Sequence, residues 1–134
     1  MAMPDQAVFA LCDVVRQTAF ALHSYLRHGH LEKVYENGMF HRLRKKGLNV
    51  QQQYPLLVLD EDGTPLGEYR ADLVVEGVLI VELKACRALD DTHIAQLFGY
   101  LRSCRVEHGL LINFGTSRLQ IKKYALSDKP QVSP

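Results

Sequence analysis

Apolar residues recur at helical spacing near the start of the chain: Val8, Leu11, Cys12, Val15, Ala19, Leu22 and Leu26. This period predicts an amphipathic helix over about residues 5–27. His28-Gly29-His30 ends it, because glycine favours the left-handed cap position. A second helix is expected from about Leu31 to Lys46, stopped by Gly47. The pattern then changes. "NVQQQYPLLVLDEDG" reads as a strand closed by an Asp-Gly turn, "EYRADLVVEG" as a second strand and "VLIVELKA" as a third. Glu76-Gly77 marks a tight hairpin between the last two. "DDTHIAQLFGYLRSC" predicts a third helix with Asp90 or Asp91 as N-cap. "VEHGLLINFG" and "LQIKKYAL" read as two final strands, and residues 127–134 as a polar, frayed tail.

The third strand poses a chemical question. Val78 and Ile80 lie on one face, and Leu79, Val81 and Leu83 on the other. Apolar residues on both faces mark a central strand covered by helices on each side. Yet Glu82 and Lys84 close this run, and charges are seldom buried without a partner or a metal. Period-two geometry sets both on one face. Asp72 approaches from the preceding strand. Two carboxylates and a lysine at one spot suit magnesium or manganese. Such a metal neutralises phosphate and lowers the pKa of bound water. Register is the test. A two-residue loop at Glu76-Gly77 sets Asp72 opposite Val81 and turns Glu82 to the wrong side. A three-residue loop, Glu76-Gly77-Val78, or a bulge brings Asp72 to Glu82. Taken alone, these three residues favour a plain Glu82–Lys84 ion pair at a strand end.

Composition narrows the class. The chain has 134 residues, 47% hydrophobic and 23% charged, as in one ordinary globular domain spanning 1–134. No apolar run is long enough to span a bilayer, and "MAMPDQAVFA" lacks the pattern of a signal peptide. A cytoplasmic protein with no membrane partner is therefore expected. Cys12, Cys86 and Cys104 are an odd, scattered set, which argues for reduced thiols. The formal net charge is +1, so nucleic-acid binding has to rest on a local patch.

The helices add candidates. Glu32 and Tyr35 share a face of the second helix, with Glu36 beside them. Gln96 and Tyr100 share a face of the third. Singly, each has an ordinary role: Glu32 complements the helix dipole, Tyr100 borders the core and Gln96 is a solvated amide. Arg70, two residues before Asp72, points to the same face, where it reads equally as a phosphate holder and as a surface arginine on an edge. The run Arg42, Arg44, Lys45, Lys46 reads either as a track for a nucleic-acid backbone or as a solvated helix end, and the helix end is favoured.

Together, G-x-x-E-x-x-Y at 29–35, "YRAD", "VELKA", "AQLFGYL" and "GLLINFG" resemble the bacterial GxxExxY proteins of the PD-(D/E)XK nuclease superfamily, near the RecB-like group with a Q-x-x-x-Y motif. The likeness runs from about Gly29 to Leu126. It implies an α-β-β-β-α-β core, a mixed sheet between helices in the α/β (α+β) class. It places metal ligands on Asp72 and Glu82, the helix acid on Glu32, and the catalytic lysine on Lys84. Tyr35, Gln96 and Tyr100 then join Arg70 on the substrate side. Ala71 stands where the superfamily name has proline. Some RecB-like relatives hold an iron–sulfur cluster through four cysteines, and three scattered cysteines exclude that arrangement here. The expectation is a nuclease dependent on Mg2+ or Mn2+, acting on nucleic acid with DNA favoured, and working as a homo-oligomer because so small a chain has no separate DNA-selecting domain. The rival is a binding or accessory module that keeps the fold without useful catalysis.

Overall fold

The computed structural model describes residues 3–128. Helix α1 (Asp5–Leu26) ends where Arg27 and Gly29 adopt positive φ, and α2 (Glu32–Lys45) follows. Strands β1 (Val50–Leu59), β2 (Pro65–Val75) and β3 (Leu79–Lys84) come next, then α3 (Asp91–Cys104), β4 (His108–Asn113) and β5 (Gln120–Ala125). A 3-10 turn (Leu126–Asp128) takes up the first two residues of the expected tail, and 129–134 lie outside the described residues. Asp90 caps α3. Its carboxylate accepts the His93 N–H, and the His93 ring accepts the Asp90 N–H, closing a capping box.

The five strands form one mixed sheet in the order β1-β2-β3-β4-β5. Neighbours are antiparallel except β3 and β4, which run parallel with α3 as their crossover. Period two sorts the side chains. Leu73, Val75, Leu79, Val81, Leu110 and Ile112 pack beneath α1 and α2. Val74, Ile80 and Leu111 pack beneath Leu97, Phe98 and Leu101 of α3. The sheet thus has helices on both faces, and β3 is buried on each side, as its apolar run requires.

β2 starts at Pro65, three residues before the alternation becomes visible in the sequence. Its first six residues are exposed, so no inside–outside pattern marks them. Pairing with β1 holds them, closed by Asp60 N–H to Thr64 and Gly63 N–H to Asp60 at the turn.

Candidate active site

The β2–β3 ladder runs through Val75↔Leu79, Val74↔Ile80 and Leu73↔Val81, and there it stops. The connection is the three-residue loop Glu76-Gly77-Val78. Glu76 (φ 54°) and Gly77 (φ 66°) are both left-handed, and the Val78 N–H returns to the Val75 carbonyl. The odd count makes Asp72 and Glu82 the next facing positions. No backbone pair forms between them. Instead the Leu83 N–H donates to Asp72 Oδ2 (2.8 Å) and the Asp72 N–H to Glu82 Oε1 (3.3 Å). Both carboxylates are buried, at 9% and 4% exposure, at the point where the strands part.

This crowding has an electrostatic signature. Burial, then the charge of Asp72, pushes the Glu82 carboxyl up to about 10. Lys84 acts in the opposite direction on Glu82. Glu32, in the first turn of α2, is raised by partial desolvation and then by Asp72, with Lys84 again opposing. Tyr100 is pushed up to about 12 by burial, then by Glu82 and Asp72. Lys84 Nζ donates to Gln96 Oε1 on α3 (3.2 Å). One locality therefore gathers groups from α2, β2, β3 and α3.

The chain just beyond Lys84 is clamped by β4. The Phe114 N–H donates to the Lys84 carbonyl (2.8 Å). Asn113, fully buried, accepts the Cys86 and Gly115 N–H groups and donates to the Cys86 carbonyl and Gln120, each at 2.9–3.0 Å. A Cβ on Gly115 would lie 2.3 Å from the Cys86 nitrogen, so only glycine permits this approach.

A second polar layer lies on β1 and α2. Gln53 Nε2 lies 2.7 Å from Glu36 and 3.3 Å from Asp72 Oδ1. Gln53 holds φ 53° inside a strand, a strained value for a non-glycine residue. Glu36 is buried and also accepts from Lys33 and Gln52. Sequence reasoning missed Gln53 and Asn113 as site residues. Amides in a strand carry no periodic or ligand-spacing signal.

A family model for the PD-(D/E)XK nuclease superfamily matches residues 10–124. The chain belongs to the PD-(D/E)XK nuclease superfamily. Among solved structures, this PD-(D/E)XK chain is similar to the crystal structure of SSO0001, with a TM-score of 0.55 and 21% identity over 69% of this chain and 48% of that one. The match spans about half of that protein, and at this identity it speaks for the fold alone. No curated protein matches.

Within this PD-(D/E)XK fold the expected site residues divide. Asp72, Glu82, Lys84, Gln96 and Tyr100 come together. Arg70 lies at the exposed rim, donating to the Gln53 carbonyl (3.3 Å), with Glu68 3.5 Å away. Tyr35 requires correction. It is fully buried, stacks on Phe114 (4.6 Å between ring centres) and donates its hydroxyl to the Arg27 carbonyl (2.5 Å). It orients the start of α2 and has no surface to offer a substrate. Among the described residues no three His, Cys, Asp or Glu side chains are grouped to hold an ion. Glu32 stands close enough to this pair to feel both Asp72 and Lys84 electrostatically.

What remains fits a hard cation. The donors are oxygens of two buried carboxylates, and each spends one oxygen on the facing strand's N–H, leaving its other oxygen off the backbone. The upward push on Glu82 from burial and from Asp72 reflects negative charge that the pair does not itself balance.

Proposed function

We propose that this chain is a metal-dependent nuclease hydrolysing phosphodiester bonds, with DNA the favoured substrate. One observation carries the reading. At the parting of β2 and β3, Asp72 and Glu82 exchange hydrogen bonds with each other's strands, and Lys84 lies on the Glu82 face. Superfamily membership supports hydrolytic nuclease chemistry. The remaining oxygens of Asp72 and Glu82 would hold Mg2+ or Mn2+, which supplies charge neutralisation at the phosphate and a more acidic water.

The residues' own tasks follow from their positions. A cation held there would favour the ionised form of Glu82. Lys84 directs its ammonium at the attacking water or at the charge growing on the phosphate. Gln96 holds Lys84 in line, and Tyr100 borders the carboxylates from α3. Glu32 adds negative charge at the mouth, where it can orient a water. Arg70 stands at the rim for a neighbouring phosphate. A homo-oligomer is part of the proposal, supported by exposed Leu57, Leu59, Leu66 and Tyr69 on the β1–β2 hairpin.

The rival is a binding or accessory module that retains the fold without useful catalysis. Cleavage of labelled single- and double-stranded DNA and RNA, with magnesium, manganese or chelator, separates the two. The nuclease reading expects metal-dependent cleavage by the wild type that Lys84→Ala abolishes. Nucleic-acid binding with no cleavage of any substrate under either metal would give the protein to the rival.

A further inference from the structure

The last turns of α2 carry His41, Arg42, Arg44, Lys45 and Lys46. In the fold His41, Arg42, Lys45 and Lys46 border an open groove of about 490 Å³ whose other wall is Thr18 and Ala21 of α1. A second concavity adjoins it, lined by Phe40, His41, Arg44 and Lys45. None of the four arginines and lysines forms an ion pair among the described residues, whose bridges all lie elsewhere. Lys46 donates instead to Thr18 Oγ1 (2.6 Å). The α2 dipole favours cations at this end, but that effect belongs to the last turn and does not remove the mutual repulsion of four clustered charges. The facing wall offers a hydroxyl and a methyl and no acid. The whole chain carries only +1, and four of its 16 lysines and arginines stand together here.

Aromatic rings interleave with these charges. The Arg42 guanidinium lies over Tyr25 (5.8 Å) and that of Arg44 over Phe40 (5.3 Å), and Tyr25 is 76% exposed. Cations without acidic partners along a groove, with an exposed tyrosine beside them, match the recognition of single-stranded nucleic acid, whose phosphates follow the charge and whose bases stack. Helix α2 joins this groove to the carboxylate cluster. Lys45 lies about 20 Å along the axis from Glu32 at about 1.5 Å per residue.

We infer that the groove between α1 and the C-terminal half of α2 is a second nucleic-acid contact surface, which binds the backbone of a single strand outside the catalytic cluster. The choice of nucleic acid as occupant rests on the nuclease reading; the groove's affinity for a strand is tested apart from cleavage.

Anisotropy of a labelled single-stranded oligonucleotide in chelator measures binding alone. The variant is Arg42→Gln/Arg44→Gln/Lys45→Gln, with Lys46 kept for its bond to Thr18 and folding checked by circular dichroism. Its affinity should fall on the order of 10-fold or more. The slope of log affinity against log salt should become shallower by about 2, since each phosphate no longer neutralised removes about 0.7. Arg42→Lys/Arg44→Lys should retain most of the binding. Should the triple variant fail to fold, each single glutamine variant should still reduce the slope by about 0.7. Equal affinity and slope in variant and wild type would overturn the proposal. So would tighter binding of the matching duplex, or a loss confined to anionic phosphatidylserine vesicles. If the wild type binds through the groove and never cleaves, the groove stands and the nuclease reading falls. If it cleaves and the triple variant cleaves as fast at low substrate, the groove falls and the nuclease reading stands.

Discussion

Asp72 and Glu82 each accept a backbone N–H from the other's strand, Asp72 from Leu83 and Glu82 from Asp72 itself. The two carboxylates thus do the work of the missing rung of the ladder. The position that holds the strands together is also the position that concentrates negative charge. Fold and chemistry are coupled there, and the coupling can be measured.

The pH dependence of stability is the first consequence. Glu82 titrates near its ordinary 4.5 when unfolded and is pushed up to about 10 in the fold. A raised folded pKa gives stability that is complete below the unfolded value and is lost as pH rises through the folded one. The metal-free protein should therefore lose melting temperature between about pH 5 and about pH 9. Glu82→Gln keeps the acceptor for the Asp72 N–H and removes the titration, so its profile should be flatter. Parallel slopes for the two proteins in chelator would contradict the assignment.

Metal should reverse that loss. A cation bound by the folded site alone stabilises by about 2.7 kcal/mol at a concentration about 100 times its dissociation constant. Magnesium or manganese should raise the melting temperature, more at about pH 8 than at about pH 6, because the ion displaces the Glu82 proton. In weak buffer, titration should release a proton from wild type and much less from Glu82→Gln. Melts identical in metal and chelator would count against the two-carboxylate site.

The lysine and its amide partner should differ in kind. Lys84→Ala removes an electrostatic stabiliser and should cost on the order of 100-fold or more in cleavage rate. Gln96→Ala frees Lys84 without removing its charge, so its loss should be smaller, on the order of 10-fold. Both should melt near wild type, since Gln96 is exposed and Lys84 only partly buried. Single-turnover rates order the two. A Gln96 effect larger than that of Lys84 would reverse the roles assigned to them.

The clamp behind Lys84 should be intolerant. Gly115→Ala sets a methyl against backbone atoms of Ala85 and Cys86, which cannot yield as a side chain tip can. Overpacking of this kind costs about 1–3 kcal/mol or more. Gly99, inside α3, has nothing within 4 Å of the place a methyl would take, so Gly99→Ala should instead stabilise by about 0.5–1 kcal/mol. Chemical denaturation of the pair gives the contrast directly.

Asn113→Ala should cost about 2 kcal/mol or more, because it leaves the Cys86 and Gly115 amides without their acceptor in a buried place. The loss should appear in denaturation midpoints and, if Lys84 shifts with its neighbours, in cleavage beyond what stability explains.

The chain itself determined the order and type of its elements. Each is written locally, in the spacing of Val8 to Leu26, in the two-faced apolar run of β3 and in the Asp90 cap. The pairing of Glu82 with Lys84 on one face also follows from period two alone. Tertiary structure decided the rest. Whether Asp72 meets Glu82 depended on a loop of two residues or three, and Glu76-Gly77-Val78 permits both until β2 and β3 are paired. Tyr35 is committed to the core by Phe114, which lies far along the chain and reaches it only across the folded sheet. Gln53 becomes a bridge because its strained backbone sets one amide between Glu36 on α2 and Asp72 on β2. The basic run at the end of α2 allowed two readings in the sequence, and the wall without acids that α1 supplies is what supports the nucleic-acid one. Local periodicity fixes which way a side chain points from its own element; which groups it then faces is set by packing between elements distant in the chain.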